Sequence, residues 1–510
     1  MQTIYQGVID IKKISLRLFM YILFLTVQGI CLSVLIISLS IYSDIFRRIL
    51  HFAAFLISLR IIFRESNPTF KIIWSFILLI FPALGLLLYA AAVSQKSAVR
   101  DYKNFSVKNI SKAREKCAEK LENQSKTAYF IYRYLNNISN SDVYENSDTE
   151  LFSCGELFFM DYLKKLSEAE KFIFIEYFII ANGEMWNRIL DILIEKSKKG
   201  VEIRIIYDGL GTLNCFSDRY FRKLNQYGIK SASFNKFSPF IAALFRCRDH
   251  RKITVIDNRT AYTGGLNLSD EYINLTHPHG YWKDYAVKIS GDAVSGFTEL
   301  FINSWNFCTN SHDLAENFLI EYPEKCSSKG FAIPFGDVPY SKNPAGKLVY
   351  MDIIRSAEKY VYIVTPYLIL DDEMISLLKF KAFCGIDVRI VTPHIPDKKY
   401  VHAVTRSDYK ELIESGVRIS EYSKGFVHAK AIVSDDDYAV TGTVNFDFRS
   451  FHLLFENSIF MFRTDAVYQI KADYLKMLEE SIEITDQFFT ERSFIKKFTD
   501  ALLKFFAPLM

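Results

Sequence analysis

His250-Arg251-Lys252-Ile253-Thr254-Val255-Ile256-Asp257 recurs later in the chain as His428-Ala429-Lys430-Ala431-Ile432-Val433-Ser434-Asp435. Both segments place His, Lys and Asp at the same spacing, and the apolar residues between Lys and Asp are typical of a buried strand. The turns Gly264-Gly265-Leu266-Asn267 and Gly442-Thr443-Val444-Asn445 follow at the same distance. The two histidines are 178 residues apart, as are the first glycines of the two turns. Packing alone does not explain this repeat, so the sequence predicts two similar halves that share one site.

The repeated residue types suit phosphoryl transfer. A histidine can attack phosphorus or carry a proton near neutral pH, and a lysine supplies a fixed positive charge for the phosphate oxygens. The catalytic candidates are therefore His250, Lys252, Asp257, His428, Lys430 and Asp435. The candidates for binding the substrate phosphate through an amide or hydroxyl are Asn267, Thr443 and Asn445. Asp257 and Asp435 are the weaker catalytic candidates, because an Asp that ends a strand often only shapes the turn. The lysines supply the charge, so the sequence predicts no metal and no cofactor.

The double His-x-Lys-x4-Asp motif resembles that of the phospholipase D superfamily, and further segments resemble bacterial cardiolipin synthases. Those segments are Phe174-Ile175-Glu176-Tyr177-Phe178, Gly200 to Asp208, Tyr281-Trp282-Lys283-Asp284, Thr365-Pro366-Tyr367, Gly425 to Lys430 and Gly442 to Ser450. One departure is Leu454, where many members have a polar residue. The resemblance covers nearly the whole chain.

The resemblance implies a fold and a reaction. The fold would be α/β, with two halves related by pseudo-twofold symmetry and one site between them. The reaction would transfer a phosphatidyl group from one phosphatidylglycerol to another, through a phosphatidyl-histidine, and give cardiolipin and glycerol. His250 would be the nucleophile and His428 the general acid. Asp284 and Glu456 would be supporting carboxylates that accept a hydrogen bond from a catalytic imidazole.

The alternation of strand-like and helical segments also indicates an α/β fold. Strands are predicted at 172–180, 201–207, 361–364 and 388–391, and helices at 186–198 and 374–383. The predicted divisions are a membrane region at 1–95, a linker at 96–150, a first half at 151–330 and a second half at 331–510. Glu176 lies in an apolar strand, where a carboxylate needs a partner, and Arg204 on the next strand is one candidate.

Two N-terminal runs carry no Asp, Glu, Lys or Arg. They cover 18–43 and 72–95, and each is long enough to cross a bilayer as a helix. The segment 49–63 is a third candidate, so two or three transmembrane helices are predicted. Basic residues after the second run favour a multi-pass protein of the cell membrane with a cytoplasmic catalytic region. A C-terminal apolar stripe at 494–506 is either a packing helix or an interfacial one.

Net charge and motif content rank the alternatives. The net charge of +4 is small for 510 residues, which argues against a nucleic-acid partner. A non-enzymatic lipid-binding protein predicts decay of one motif, and both motifs are complete. Hydrolysis of the phospholipase D type, or transfer to another alcohol, uses the same residues and stays open. The expected partners are phosphatidylglycerol and other membrane lipids.

Overall fold

The computed structural model describes residues 44–64, 67–104, 112–235, 247–319, 326–327 and 329–485. It also describes scattered positions near the ends, at 23–24, 26–31, 34–35, 38, 488 and 503–504. The predicted span at 18–43 and the C-terminal stripe at 494–506 therefore lie mostly outside the described residues.

From residue 44 onward the described chain begins with three helices: α1 (Asp44–Ile62), α2 (Pro68–Ile80) and α3 (Pro82–Asn104). The prediction of one apolar helix over 72–95 is wrong, because Pro82 lacks the N–H that would continue α2 and the chain turns back there. Gly85 permits the tight return, since a Cβ at this position would lie 2.8 Å from the Cα of Leu78. Along the described residues, no helix combines the length and apolar character needed to cross a membrane.

Two further helices fill the segment predicted as a linker, α4 (Lys112–Gln124) and α5 (Lys126–Ser139). Ser125 caps α5, and its hydroxyl accepts a hydrogen bond from the backbone N–H of Ala128 at 3.1 Å. The buried face of α5, including Ile131 and Leu135, packs into the same core as Phe331 and Tyr350 of the second half. This segment is therefore part of the folded catalytic body.

The first half is a seven-stranded mixed sheet with helices on its faces. Its helices are α6 (Gly155–Glu168), α7 (Glu184–Lys198), α8 (Asp218–Leu224) and α9 (Val294–Thr309). Among the described residues, the strands of this half are β1 (Ser147–Phe152), β2 (Phe172–Tyr177), β3 (Glu202–Asp208), β4 (Ile229–Phe234), β5 (Arg248–Asp249), β6 (Lys252–Ile256), β7 (Thr260–Gly264), β8 (Tyr281–Lys283) and β9 (Ala286–Gly291). The sheet order is β1-β9-β7-β6-β2-β3-β4. Strands β2, β3 and β4 are parallel, and the remaining pairs are antiparallel.

The second half repeats this arrangement. Its helices are α10 (Ala345–Ser356), α11 (Asp372–Phe383), α12 (Lys399–Thr405), α13 (Tyr409–Ile413), α14 (Phe448–His452) and α15 (Asp465–Glu479). Its strands are β10 (Phe331–Asp337), β11 (Tyr360–Val364), β12 (Leu368–Ile369), β13 (Asp387–Pro393), β14 (Arg418–Tyr422), β15 (Gly425–Val427), β16 (Ala431–Ser434), β17 (Tyr438–Gly442), β18 (Phe446–Asp447), β19 (Leu454–Phe462) and β20 (Ser481–Glu483). The order β10-β19-β17-β16-β11-β13-β14 matches the first sheet strand for strand, and β20 extends it. The α/β prediction and the internal repeat are confirmed.

Two short strand pairs join the halves. Strand β5 of the first half runs parallel to the start of β19, where Asp249 lies opposite Phe455. Strand β8 runs parallel to β15, where Lys283 lies opposite Val427. Each pair includes or directly precedes a motif histidine, so the contact between the halves passes through the site.

Candidate active site

Each motif histidine lies just before a strand of its own sheet, and its backbone N–H donates a hydrogen bond to the opposite half. The backbone N–H of His250 donates to the carbonyl of Phe455 at 2.8 Å, and that of His428 donates to the carbonyl of Lys283 at 2.7 Å. His250 lies two residues before the buried strand β6, and His428 lies three residues before the buried strand β16. The two imidazoles are therefore held at the seam between the halves.

The imidazole–carboxylate pairs are crossed between the halves. Nδ1 of His250, in the first half, lies 2.8 Å from a carboxylate oxygen of Glu456 in the second. Nδ1 of His428, in the second half, lies 2.6 Å from Asp284 in the first. Both carboxylates are fully buried, while the imidazole side chains keep 12% and 10% exposure. With Nδ1 engaged, Nε2 of each ring is the atom that can react.

The two carboxylates are anchored differently. The hydroxyl of Thr443 donates to Glu456 at 2.5 Å. The equivalent position in the first turn is Gly265, where a Cβ would lie 2.1 Å from a carboxylate oxygen of Asp284. Asp284 instead accepts a hydrogen bond from the backbone N–H of Tyr285 at 2.8 Å. The Thr443 hydroxyl thus orients Glu456, and its contact with phosphate stays a prediction.

Both motif lysines lie beside the imidazoles. Nζ of Lys252 donates to the carbonyl of His250 at 2.7 Å, and Nζ of Lys430 donates to that of His428. Burial lowers the pKa of Lys252 to about 8 and that of Lys430 to about 7, although Glu456 and Asp284 oppose the shift. An anion between the two lysines would offset this cost of burial by favouring their charged forms.

The charges of all these groups act on one another across the seam. Burial lowers the pKa of His428 to about 4 and that of His250 well below its usual value, and both lysines add to each shift. Burial would raise the pKa of Asp284, but His428 and Lys430 hold it below its usual value. Burial raises the pKa of Glu456 to about 8, against the lowering by Lys252. The His250–Glu456 pair therefore keeps a proton to higher pH than the His428–Asp284 pair.

The two predicted asparagines differ in what their amides contact. Asn267 accepts from the backbone N–H of Ile179 at 3.1 Å and donates to the Tyr272 hydroxyl at 2.6 Å, so it fixes the loop. Asn445 donates to the Ser450 hydroxyl at 3.1 Å, and its buried Oδ1 has no hydrogen-bond partner among the described residues. A hydroxyl can donate or accept, so a rotated Asn445 amide would keep Ser450 and present its NH₂ to a phosphate.

The motif aspartates lie at the far end of the motif strands. The Asp257 carboxylate accepts three backbone N–H groups, from Glu170, Lys171 and Phe172, each at 2.7 Å. Asp435 does the same for Glu358, Lys359 and Tyr360, at 2.6, 3.0 and 2.9 Å. Both residues have a positive φ, which suits a tight turn. Asp257 and Asp435 thus hold the start of the neighbouring strand in register, and their catalytic assignment stays a prediction.

A buried cluster connects Arg251 to the N-terminal helices. Arg251 is 1% exposed and forms ion pairs with Asp249 at 2.8 Å and Glu176 at 3.1 Å. Its guanidinium also donates to the Tyr102 hydroxyl of α3 at 2.7 Å. The partner of Glu176 is thus Arg251. Arg204, the partner considered from the sequence, binds Glu202 and Asp313.

Several residues that surround the two imidazoles are not among the predicted site residues. Three aromatic rings surround His428 with centroids 5.3 to 5.8 Å from its imidazole: Trp282, Tyr272 and Phe426. Phe178 lies 5.3 Å from the His250 ring. Arg449 is exposed, and its charge contributes to lowering the pKa of His250. Phe178, Trp282, Phe426 and Arg449 lie in segments that resemble the family, whereas no quoted segment includes Tyr272.

Comparison with known proteins shows the family of this chain. The chain matches the family model described as cardiolipin synthase, PLD-like domain, over residues 162–305 and 350–478. The chain belongs to this family. A cardiolipin synthase of Alkalihalophilus pseudofirmus is 32% identical over 463 residues, which cover 89% of this chain and 92% of that protein. An uncharacterized protein of Streptococcus mutans is 39% identical over 445 residues, which cover 86% of this chain and 96% of that protein.

The same fold occurs in a solved structure. The crystal structure of phosphatidylserine synthase from Haemophilus influenzae superposes with a TM-score of 0.57 at 17% identity, and the match covers 76% of this chain and 98% of that one. At this identity the likeness concerns the fold. In this chain, the crossed imidazole–carboxylate pairs connect the two halves at the site.

Proposed function

We propose that this protein is a cardiolipin synthase, which transfers the phosphatidyl group of one phosphatidylglycerol to the headgroup hydroxyl of another and releases glycerol. The observation that carries the proposal is the crossed site, in which His250 and His428 are each oriented by a carboxylate of the opposite half. Lys252 and Lys430 add two positive charges that act on both imidazoles. This set can stabilise a phosphorane-like transition state and also carry the proton in both directions.

In the first step Nε2 of one histidine attacks the phosphorus of phosphatidylglycerol. A P–N bond forms, the P–O bond to the headgroup glycerol breaks, and the second imidazolium gives its proton to the departing oxygen. The lysines and Asn445 bind the non-bridging oxygens. The products of this step are a phosphatidyl-histidine and free glycerol.

In the second step the headgroup hydroxyl of another phosphatidylglycerol attacks the same phosphorus. The now neutral imidazole takes the hydroxyl proton, the new P–O bond forms and the P–N bond breaks, which restores both histidines. If water attacked instead, the product would be phosphatidic acid, as in a phospholipase D.

The family resemblance gives the attack to His250 and the proton transfers to His428, and we keep this assignment as the proposal. The electrostatics of the free site favour the opposite assignment, because the His250–Glu456 pair holds its proton to higher pH and so suits the general acid. Quenching a reaction with labelled phosphatidylglycerol tests the assignment directly. The label should appear on the peptide that contains His250. Label confined to the peptide that contains His428 would reverse the two roles.

We also propose that the N-terminal helices contact the bilayer in which both lipids reside, with the catalytic region on the cytoplasmic side. Large apolar side chains point outward from α1 and α2, among them Phe52, Phe55 and Ile72. Exposed apolar surface of this extent is typical of a protein or membrane contact. Protease protection of the catalytic region in sealed inverted and right-side-out vesicles tests its sidedness.

The decisive experiment on the function is incubation of the purified full-length protein with phosphatidylglycerol, followed by lipid mass spectrometry and a glycerol assay. Cardiolipin and glycerol should appear in equal amounts. Phosphatidic acid in place of cardiolipin would identify a hydrolase and contradict the proposal. The His250→Ala and His428→Ala variants are the controls, and each should form neither product.

A further inference from the structure

A cavity of about 760 Å³ lies between the N-terminal helices and the second half. Helices α1 to α3 form one wall, with Trp74 and Tyr89 facing the space. The other wall is formed by the segment between β10 and α10, the start of α11 and the end of α14. Its volume is in the range of sites that bind small molecules, roughly 300–1,000 Å³. The catalytic histidines and lysines are not among its lining residues.

The helical wall is apolar and leads to exposed apolar surface. Phe70, Trp74 and Val93 line the cavity. Next to them on the outside are Phe63 and Ile72, which are 83% and 60% exposed. The helices that line the cavity therefore also present large apolar side chains to the outside, which suits contact with an acyl chain.

The opposite wall is polar and has both signs of charge. Lys342 brings positive charge to this wall, and Arg64, in the connection between α1 and α2, brings positive charge to the helical side of the cavity. Lys347 is nearly buried and is held by Asp371 and Glu373, each at 2.7 Å. Nε2 of His452 is buried and has no hydrogen-bond partner within the described part of the chain. Burial, with Lys347 nearby, lowers the pKa of His452 to about 4, so at neutral pH the ring offers a hydrogen bond without a charge.

The cavity is joined to the catalytic site by one short helix. Helix α14 begins three residues after Asn445 and ends at His452. Phe448 on this helix packs against Phe70 of α2, with ring centroids 4.9 Å apart. The charge of Arg449, the next residue, influences His250 on one side and the cavity residue Tyr340 on the other. Helix α14 thus has one end close in sequence to Asn445 and the other end at the cavity.

We propose that this cavity binds the acceptor phospholipid, a phosphatidylglycerol whose headgroup hydroxyl completes the reaction. Its acyl chains lie against Phe70 and Trp74, and its phosphate lies near Arg64 and Lys342. Its hydroxylated headgroup passes His452 and follows α14 towards the phosphatidyl-histidine. The proposal rests on the proposed function and adds a second lipid site that is separate from the donor phosphate site between the two lysines.

Binding is tested by fluorescence quenching of Trp74 in the full-length protein in detergent micelles. Phosphatidylglycerol with brominated acyl chains should quench a component of the emission that is absent in the Trp74→Phe variant. Brominated phosphatidylcholine at the same mole fraction should quench this component much less, because its headgroup has no hydroxyl. Equal quenching by both lipids would show mere immersion in the apolar phase, and no quenching would show an empty cavity; either result overturns the proposal.

The role in the second step is tested by filling the cavity. Ala92 of α3 lines the cavity, whereas Ala90 of the same helix is exposed and does not. In Ala92→Phe, the phosphohistidine label should still form, while cardiolipin production falls by about tenfold or more. Ala90→Phe should leave both unchanged. Equal loss of label and cardiolipin in Ala92→Phe, or no loss of either, contradicts an acceptor site.

A charge variant guards against misfolding of the filled protein. Arg64→Gln combined with Lys342→Gln alters side chains at the lining without adding volume. It should reproduce the selective loss of cardiolipin, and unchanged cardiolipin synthesis would count against the proposed phosphate contact. If the wild-type protein forms no cardiolipin at all, the proposed function fails, and the quenching experiment still reports on lipid binding in the cavity.

Discussion

Each reacting imidazole depends on one carboxylate of the opposite half. Asp284 is fully buried and lies 2.6 Å from Nδ1 of His428. An ionised carboxylate there fixes the tautomer of the ring and stabilises its protonated form. Gly265 leaves the space that this carboxylate occupies, and Thr443 orients the corresponding Glu456. The equivalent residues of the two turns, Gly265 and Thr443, therefore set the positions of the two carboxylates.

We predict that Asp284→Asn lowers kcat by roughly 10³–10⁴-fold, because the amide keeps the shape but cannot stabilise the imidazolium. Steady-state cardiolipin synthesis measures the effect, and thermal unfolding should show an intact fold. Asp313→Asn, which alters a carboxylate bound to Arg204, serves as the control and should be nearly silent. A decrease of similar size in both variants would indicate a general loss of structure.

The lysines lead to a prediction about pH. With pKa values of about 8 for Lys252 and about 7 for Lys430, both are partly neutral at pH 8 in the free protein. A bound anion favours their charged forms and raises both pKa values, so binding must take up protons at this pH. Affinity for an oxyanion such as tungstate should then fall as pH rises from about 7 to 9.

Calorimetry in buffers of different ionisation enthalpy measures the proton uptake. The Lys430→Gln variant should take up fewer protons and bind more weakly. Binding without proton uptake at pH 8 would show that both lysines are fully charged before the anion arrives.

At the scale of the elements, helix α3 and strand β6 are linked through Arg251. The guanidinium lies between the rings of Tyr102, Phe234 and Phe455, with centroids 5.2 to 5.4 Å away. Its neighbours in sequence are His250 and Lys252. Near its C-terminal end, α3 is thus joined through Tyr102 to Arg251, the residue between His250 and Lys252.

We predict that Tyr102→Phe destabilises the protein by about 1–3 kcal/mol, because a buried charged donor loses its acceptor. Denaturant unfolding of the full-length protein measures this loss. Tyr134→Phe is the matched control, since the Tyr134 hydroxyl makes only a long contact of 3.4 Å to the carbonyl of Pro344. An unchanged stability in Tyr102→Phe would mean that water or another group replaces the phenol.

The sequence anticipates those elements whose signal is local. The period of apolar residues gives β2, β3, β11 and β13 to within a few residues, and the repeated motif gives the two halves. Composition alone does not reveal the break at Phe81–Pro82, because it does not distinguish one long apolar helix from two that fold back. The Arg251–Glu176 pair and the aromatic rings around His428 join segments far apart in sequence, so no local pattern reveals them.

At the scale of the whole molecule, one chain contains a complete site. The first sheet and the second sheet have matching strand orders, and both carboxylates cross the seam. A protein of this kind needs no second copy to assemble its two histidines.

We therefore predict that co-expressed His250→Ala and His428→Ala variants do not complement each other. Each mutant chain lacks one histidine of its only site, and the intact halves belong to different molecules. Cardiolipin synthesis in the mixed preparation should stay at the level of either variant alone. Recovery of a substantial fraction of wild-type activity would instead indicate exchange of halves between chains.

Because each imidazole is oriented by a carboxylate of the opposite half, both pairs depend on the same contact between the halves. Any movement that parts the halves, for instance to admit or release a bulky lipid, withdraws Glu456 from His250 and Asp284 from His428 at once. We therefore expect a substitution that loosens the contact between the halves to impair both chemical steps together, because both imidazoles lose their orienting carboxylates.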